Sequence, residues 1–313
     1  MTTRTAKELI EIYNATKRNK VCEKIKFTGI RNMDVYNITA PFKDQDETII
    51  AGRVECRNNE DSSVMFFTEK DGTWSLKTDA PVFKLQDPFI SRIKGELIFG
   101  GVKTYPYGCK SGVLGYKTIF YRGSGINDLK KFSEGPEMMK DIRILELPEG
   151  RIAVFTRHQG QIGGRGKIGF VKINSLDELN ISIINSARIL QDLFIDEEWG
   201  GTNELHILKN RLLGVLGHIA CFDTLGNRHY YPMTFAFDPY KEEAFSIKVI
   251  ALRNELLPGA AKRPDLVDIV FSGGLVRQQN GKAELYVGVG DAEAQKVLID
   301  DPFLEYEMDS IRI

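Results

Sequence analysis

The stretch Gln86–Lys103, QDPFISRIKGELIFGGVK, decides the fold. It holds a polar opening at Asp87, an extended run, a Lys94-Gly95 turn and an apolar strand. Short runs rich in β-branched and aromatic residues, bounded by Gly, Asn, Asp and Lys, read as paired strands. The pattern recurs on both sides. VYNITAPF, KDIRILEL, GTNELHIL and VDIVFSGG open similar units, and TIIAGRVE, RIAVFTRH, RLLGVLGH and ELYVGVGD are the apolar strands that follow. A third run, such as VMFFTE, TIFYRG, IGFVKI or MTFAFD, completes most units. The opening polar residues Asn37, Asp87, Asp141, Asn203 and Asp268 stand 50 to 65 residues apart, the period of propeller blades. The reading is an all-β fold, a five-bladed β-propeller over 34–313, in which the first strand of each blade lines a central channel and gathers these five residues.

Upstream, 1–33 reads as an N-terminal helix and lead-in. Ala6, Leu9, Ile10, Ile12 and Tyr13 recur at helical spacing between Thr5 and about Arg18, with Thr5 and Glu8 spaced as a capping box. The connection from Asn180 to Gly200 is longer than the others and has room for a helical turn. GQIGGRGKIG, from Gly160 to Gly169, lies between two strand runs and precedes no helix, so it reads as a mobile hairpin loop rather than a phosphate loop.

Composition narrows the function classes. With 313 residues, 42% of them hydrophobic, and a formal net charge of -1, the chain offers no general nucleic-acid or anionic-membrane surface. Cys22, Cys56, Cys109 and Cys221 show no paired spacing and the four histidines none either, so neither a zinc site nor a disulfide framework is expected. The polar amino terminus and the lack of a membrane-length apolar run lead us to expect a soluble cytoplasmic protein without a cofactor. Homo-oligomerisation is left open.

Taken in order, GRVE at Gly52, QDPF at Gln86, KDIRILEL at Lys140, FTRH at Phe155, LGH at Leu216, DIVFSGGLV at Asp268 and YVGVGDAE at Tyr286 resemble glycoside hydrolase family 130, the mannoside phosphorylases. They resemble glycosyltransferase family 108 more closely, mannosyltransferase/phosphorylases related to bacterial proteins long classed as a domain of unknown function. QDPF corresponds to a glutamate-aspartate-proline-arginine element, with Gln86 and Phe89 in place of its flanking charges. The resemblance implies a propeller, reversible inverting transfer of mannose between mannose 1-phosphate and mannosides, β-1,2-linked in that family, and Asp87 as general acid, directly or through a sugar hydroxyl.

Elementary chemistry fits this. Glycoside hydrolysis normally takes two carboxylates, whereas a phosphorylase needs one, because phosphate supplies the nucleophile and a cationic pocket holds it. Lys140, Arg157 and His218 are the expected phosphate ligands, with inorganic phosphate as co-substrate. Asn37, Arg53, Glu55, Asp141, Asn203, Glu204 and Asp268 are expected to meet sugar hydroxyls, and Tyr105 and Trp199 to stack on sugar. Two other readings stand beside this one. Plain hydrolysis predicts a second carboxylate, Asp141 or Asp268, opposite Asp87; a non-catalytic sugar-binding propeller predicts binding without turnover.

Overall fold

Five antiparallel meanders follow one another along the chain, and the buried polar side chains from which the site is built lie at the ends of innermost strands and on the strands next to them. The computed structural model describes residues 3–16, 20–108 and 112–308. They are mostly β, with a short helix at the amino end. In the first meander Asp34–Tyr36 and Phe42–Asp44 both pair with Glu47–Glu55, followed by Ser63–Lys70 and Thr73–Leu76. The second runs Gln86–Ile93, Glu96–Pro106, Leu114–Gly123, Lys130–Glu134. The third runs Arg143–Glu146, Ile152–Gln159, Gly164–Ile173, Arg188–Ile189.

Trp199–Ile207, Leu213–Phe222, Arg228–Asp238 and Glu243–Val249 form the fourth. Asp268–Arg277, Lys282–Val289 and Glu293–Asp300 form the fifth. A short parallel pairing of His229 with Asp268 and Tyr230 with Ile269 joins these last two. The outer strand of the fifth meander comes from the other end of the chain: Val21–Lys24 pairs antiparallel with Glu293–Asp300, register Val21 to Leu298. Phe27–Thr28 lies parallel on the edge of the first. The lead-in thus ties the first meander to the last.

Apolar packing follows the same order. One cluster joins the first and second meanders through Phe66, Phe99 and Ile119, and one joins the second and third through Phe89, Phe120 and Ile144. Another joins the third and fourth through Phe155, Phe170 and Phe237, with the Phe170 and Phe237 rings 4.5 Å apart. The fourth meets the fifth through Leu216 and Leu285, and Tyr286 and Ala294 of the fifth pack on Ile38 and Ile50 of the first.

The helix spans Ala6–Ala15 and starts on the expected capping box, the Glu8 amide donating to Thr5 Oγ1 at 3.1 Å and the Thr5 amide to the Glu8 carboxylate. Its buried face, Ala6 and Leu9, rests on the third and fourth meanders; Arg18 lies outside the described residues. The long connection after Asn180 carries a helical turn, Ile181–Asn185. Residues 160–166 form a hairpin with one turn of helix, Gly160–Gly163. Among the described residues no helix is long and apolar enough to cross a membrane. Cys22, Cys56 and Cys221 are free thiols, and Cys109 lies outside the described residues.

Three innermost strands are bulged: register shifts fall between Gln86 and Phe89, Thr202 and Glu204, and Ser272 and Gly274. A bulge leaves a residue unpaired and re-aims it. In the fifth meander that residue is Gly273, where an added Cβ would stand 1.6 Å from the Ile38 carbonyl oxygen. Gly273→Ala is therefore expected to lower stability, read from the thermal midpoint, by the upper end of the roughly 1–3 kcal/mol typical of overpacking. That exceeds the roughly 1 kcal/mol expected for Thr5→Ala at the helix cap. Equal melting of the two variants would show that the first and fifth strands tolerate separation.

Candidate active site

Asn37, Asp87 and Asp141 all adopt left-handed backbone conformations, with φ of 44°, 47° and 58°. Asn and Asp tolerate this region far better than other side chains with a Cβ, so the local backbone and the chemistry ask for the same residue types. The turns deliver three polar groups into one cavity or its floor.

Asp87 is buried at its centre. Asn37 Nδ2 donates to its Oδ1 at 2.8 Å, Arg53 Nη1 stands 3.4 Å from the same oxygen, and Lys140 Nζ lies 4.0 Å from Oδ2. Burial pushes the Asp87 carboxyl up, but the Arg53 and Lys140 charges and the Asn37 bond outweigh it and hold it below the usual aspartate range. Arg53 is oriented from behind: its guanidinium donates to Glu55 at 3.0 Å and to Ser62 at 3.0 Å. Glu55 in turn accepts from Tyr36, Ser62 and Lys262.

Beside this pair sits a second one. Arg157 Nη1 donates to Asp141 Oδ2 at 2.9 Å, and both side chains are almost fully buried. Burial pushes Asp141 up; Arg157, then Lys140 and His218, pull it well below the ordinary range. Lys140 stays charged, since Asp141 and Asp87 more than offset the effect of burial on it.

His218 Nδ1 shares a hydrogen bond with the Asn203 side-chain amide at 2.9 Å, and the neighbouring Ser272 hydroxyl donates to the Gly217 carbonyl at 2.7 Å. The His218 Nε2 is buried, 4.0 Å from Asp141 Oδ2 and without a hydrogen-bond partner. Burial, opposed by Asp141 and reinforced by Arg157, depresses its pKa to about 3.

This has a consequence for stability. A base depressed in the fold keeps its contribution above the unfolded pKa and loses it as pH falls, because the unfolded chain then binds a proton the folded one refuses. From pH 6.5 to 4.5 the unfolding free energy should fall more steeply in the native protein than in His218→Gln, the difference approaching about 1.4 kcal/mol per pH unit. Parallel pH profiles would mean that His218 protonates in place.

The cavity these groups share measures about 470 Å³, and Asn37, Arg53, Asp87, Lys140, Arg157, Trp199 and His218 all line it, as the sequence leads one to expect. Glu55, Asp141 and Asn203 stand one layer behind, each bonded to a lining residue. Three expected residues are not brought in. Tyr105 packs against Tyr107 and Gly115 in its own hairpin. Glu204 accepts from the Leu275 amide at 2.7 Å and faces a separate cavity of about 60 Å³. Asp268 is taken up by His229 at 2.6 Å and Tyr231 at 3.1 Å; in the fifth meander the bulge that corresponds to Asn203 falls at Gly273, five residues further on. Arg57, four residues beyond Arg53, forms an exposed pair with Asp34.

Arg165 of the Gly160–Gly169 hairpin also lines the cavity, and sequence reasoning misses further lining residues: Asp291, Arg228, Arg263, Phe222 and Tyr230. Asp291 is a further carboxyl on the cavity wall beside Asp87, at φ 52° just after the Lys282–Val289 strand. Burial pushes its pKa up; Arg53 opposes that, and the nearby Asp87 charge adds to it. Its signal was the aspartate of YVGVGDAE, which shares the left-handed turn of Asn37, Asp87 and Asp141. Phe89 packs beneath Arg143, whose buried guanidinium lies 4.4 Å from the Phe89 ring centre and donates to the Asn203 carbonyl at 2.7 Å.

A larger cavity, about 980 Å³, lies between Arg188–Leu193 and Glu242–Ile247 beside the helix. It contains none of the expected residues, so the chemistry is assigned to the smaller one.

Residues 12–305 match the family model described as a protein of unknown function, DUF1861. The mannose phosphorylase MPT-4 from Leishmania mexicana, solved in complex with a phosphate ion, is 34% identical over 95% of this chain and 93% of that one, with a TM-score of 0.88. MPT-1, a GDP-Man-dependent mannosyltransferase from the same organism, is 33% identical over 96% and 95%, with a TM-score of 0.87. The β-1,2-mannobiose phosphorylase from Listeria innocua, 12% identical over 90% and 94% with a TM-score of 0.63, shares the fold. No curated protein sequence matches.

Proposed function

Because the chain belongs to the DUF1861 family and, with the two Leishmania enzymes, to the mannosyltransferase and phosphorylase family its motifs resemble, we propose that it is a mannoside phosphorylase. It transfers mannose reversibly and with inversion between mannose 1-phosphate and β-mannosides, β-1,2 linkage being the first to test. The fold we infer is a five-bladed propeller. Its support is the succession of apolar clusters from first to fifth meander and back to the first, with the Val21–Lys24 strand closing the ring.

One observation carries the functional reading. The cavity is basic although the chain as a whole is near neutral: Arg53, Lys140, Arg157, Arg165, Arg228 and Arg263 line it, against the acids Glu60, Asp87 and Asp291. A site built so binds a dianion, and Arg forks with a Lys point charge match phosphate oxygens. In synthesis the acceptor hydroxyl oxygen bonds to C1 as the C1–phosphate bond breaks, and its proton passes to Asp87, which the resting electrostatics keep ionised. In phosphorolysis the steps reverse. Phosphate draws on Arg53 and Lys140, their hold on the Asp87 anion weakens, and the carboxyl can carry the proton that the departing oxygen takes.

His218, fixed through Nδ1 by Asn203, presents its unpartnered Nε2 to a phosphate or sugar hydroxyl. The hydrolytic alternative needs an ionised second carboxylate to activate water. Asp141 is locked on Arg157, Asp268 on His229, and burial pushes the Asp291 carboxyl up, against the ionised form that activation of water requires. The geometry therefore favours phosphate as nucleophile, in a cytoplasmic setting that suits the free thiols. Incubation of β-1,2-mannobiose with the protein tests this: mannose 1-phosphate should form only when inorganic phosphate is present. Mannose released at the same rate without phosphate would make the protein a hydrolase.

A further inference from the structure

Phe222 is the most exposed apolar residue of the cavity lining, at 39%, in an otherwise polar mouth. Its ring lies 4.9 Å from that of Trp199, which is fixed by an indole donation to the Tyr230 hydroxyl at 3.1 Å. Together they make an aromatic face of the kind on which a sugar ring stacks. Arg165 covers it, the guanidinium 5.0 Å from the Phe222 ring centre and 5.7 Å from that of Trp199. Arg228 and Arg263 are paired with Asp265, whereas the Arg165 guanidinium donates no hydrogen bond and forms no ion pair among the described residues.

The backbone of Arg165 is also engaged. Its carbonyl accepts from Gln159 Nε2 at 2.9 Å and from Arg157 Nη2 at 3.3 Å. It stands between Gly164, at φ 58°, and Gly166, at φ 152°, in a hairpin that also has Gly160 at φ 68°. These glycines let the segment change course at little steric cost. The Arg228 guanidinium also stands 5.8 Å from the Phe222 ring centre, but Arg165 alone lies over both rings, and its main chain occupies a donor of the phosphate-side Arg157.

We propose that the Trp199–Phe222 face is the stacking surface for the acceptor sugar, that Arg165 covers it until an acceptor displaces the hairpin, and that this displacement frees Arg157 Nη2 for phosphate. The proposal rests on the mannoside phosphorylase reading above. Arg165 is then a positioning residue that couples two ligands: acceptor binding tightens phosphate binding and, by linkage, phosphate tightens acceptor binding by the same factor.

Calorimetry in an Asp87→Asn background, where turnover is slowed by about 10²–10⁴-fold, tests it with inorganic phosphate and β-1,2-mannobiose as probes. Phosphate should bind about fivefold or more tightly when mannobiose is saturating, in the range typical of coupled sites. Adding Arg165→Ala should strengthen mannobiose binding about two- to fivefold, the equivalent of removing one exposed cation–π competitor, and reduce the coupling to less than twofold. Adding Phe222→Ala should weaken mannobiose severalfold and leave phosphate alone unchanged. Weaker mannobiose binding in Arg165→Ala, or coupling that survives it, overturns the proposal. Failure of phosphate to bind at all would overturn the phosphorylase reading itself, and the proposal with it.

Discussion

Asp87→Asn should lower turnover by about 10²–10⁴-fold, the usual contribution of one acid–base group, while phosphate binds more tightly than to the native protein. The two effects have one cause. Asp87 shares Arg53 and Lys140 with the incoming anion, so the native carboxylate competes with phosphate for the same cations. Two unit charges near 4 Å repel by roughly 4 kcal/mol at an effective dielectric of 20; relief of a third of that tightens phosphate by about tenfold. Asn keeps the shape and tolerates the left-handed backbone at this position, so the fold should survive. Rate measurements and phosphate titration of the same preparation give the answer. A variant that loses phosphate binding along with rate would show Asp87 to be a scaffold for the cations rather than the proton carrier.

Arg53→Met should cost the most stability of any substitution in the site, about 3–5 kcal/mol, as expected when one partner of a buried ion pair is removed. The side chain is 6% exposed, and its loss leaves Glu55 and Asp87 without the guanidinium that stands between them. Lys262 still holds Glu55, but Asp87 loses its strongest opposing charge. A fall in thermal midpoint of about 5–15 °C follows for a chain of this size. Arg57→Met is the internal control. That arginine forms a bidentate pair with Asp34 at 2.8 Å, but with 47% of its side chain exposed, and exposed pairs contribute about 0–1 kcal/mol. If both variants melt alike, the Arg53 network contributes nothing beyond a surface pair.

Which residues the sequence revealed follows from how local their causes are. Asn37, Asp87 and Asp141 were legible because each opens a repeat at a turn whose positive φ selects Asn or Asp, and Asn203 because it fills a bulge in the same register. The fifth opening was misplaced at Asp268 because the bulge there holds Gly273, chosen for the close approach of Ile38 and silent as chemistry. Glu204 follows Asn203 by one residue, and one residue along a strand reverses the face; it meets Leu275 rather than the cavity.

Longer-range partners left no local mark. Lys262 reaches Glu55 across more than 200 residues, Asp291 acquires its raised pKa from Asp87 and from burial that only the fold creates, and Val21–Lys24 is a strand only because Glu293–Asp300 offers it an edge. Arg165 and Phe222 belong to different meanders, and no pattern within either announces that one covers the other.

The most direct test of the account is to supply α-mannose 1-phosphate and mannose and to follow both phosphate release and the anomeric proton of the product by NMR. The structure predicts phosphate release matched by formation of a β-linked mannobiose, inverted at C1 and lost in Asp87→Asn. Phosphate release with free mannose as its only sugar product, or no consumption of the sugar phosphate at all, would contradict it.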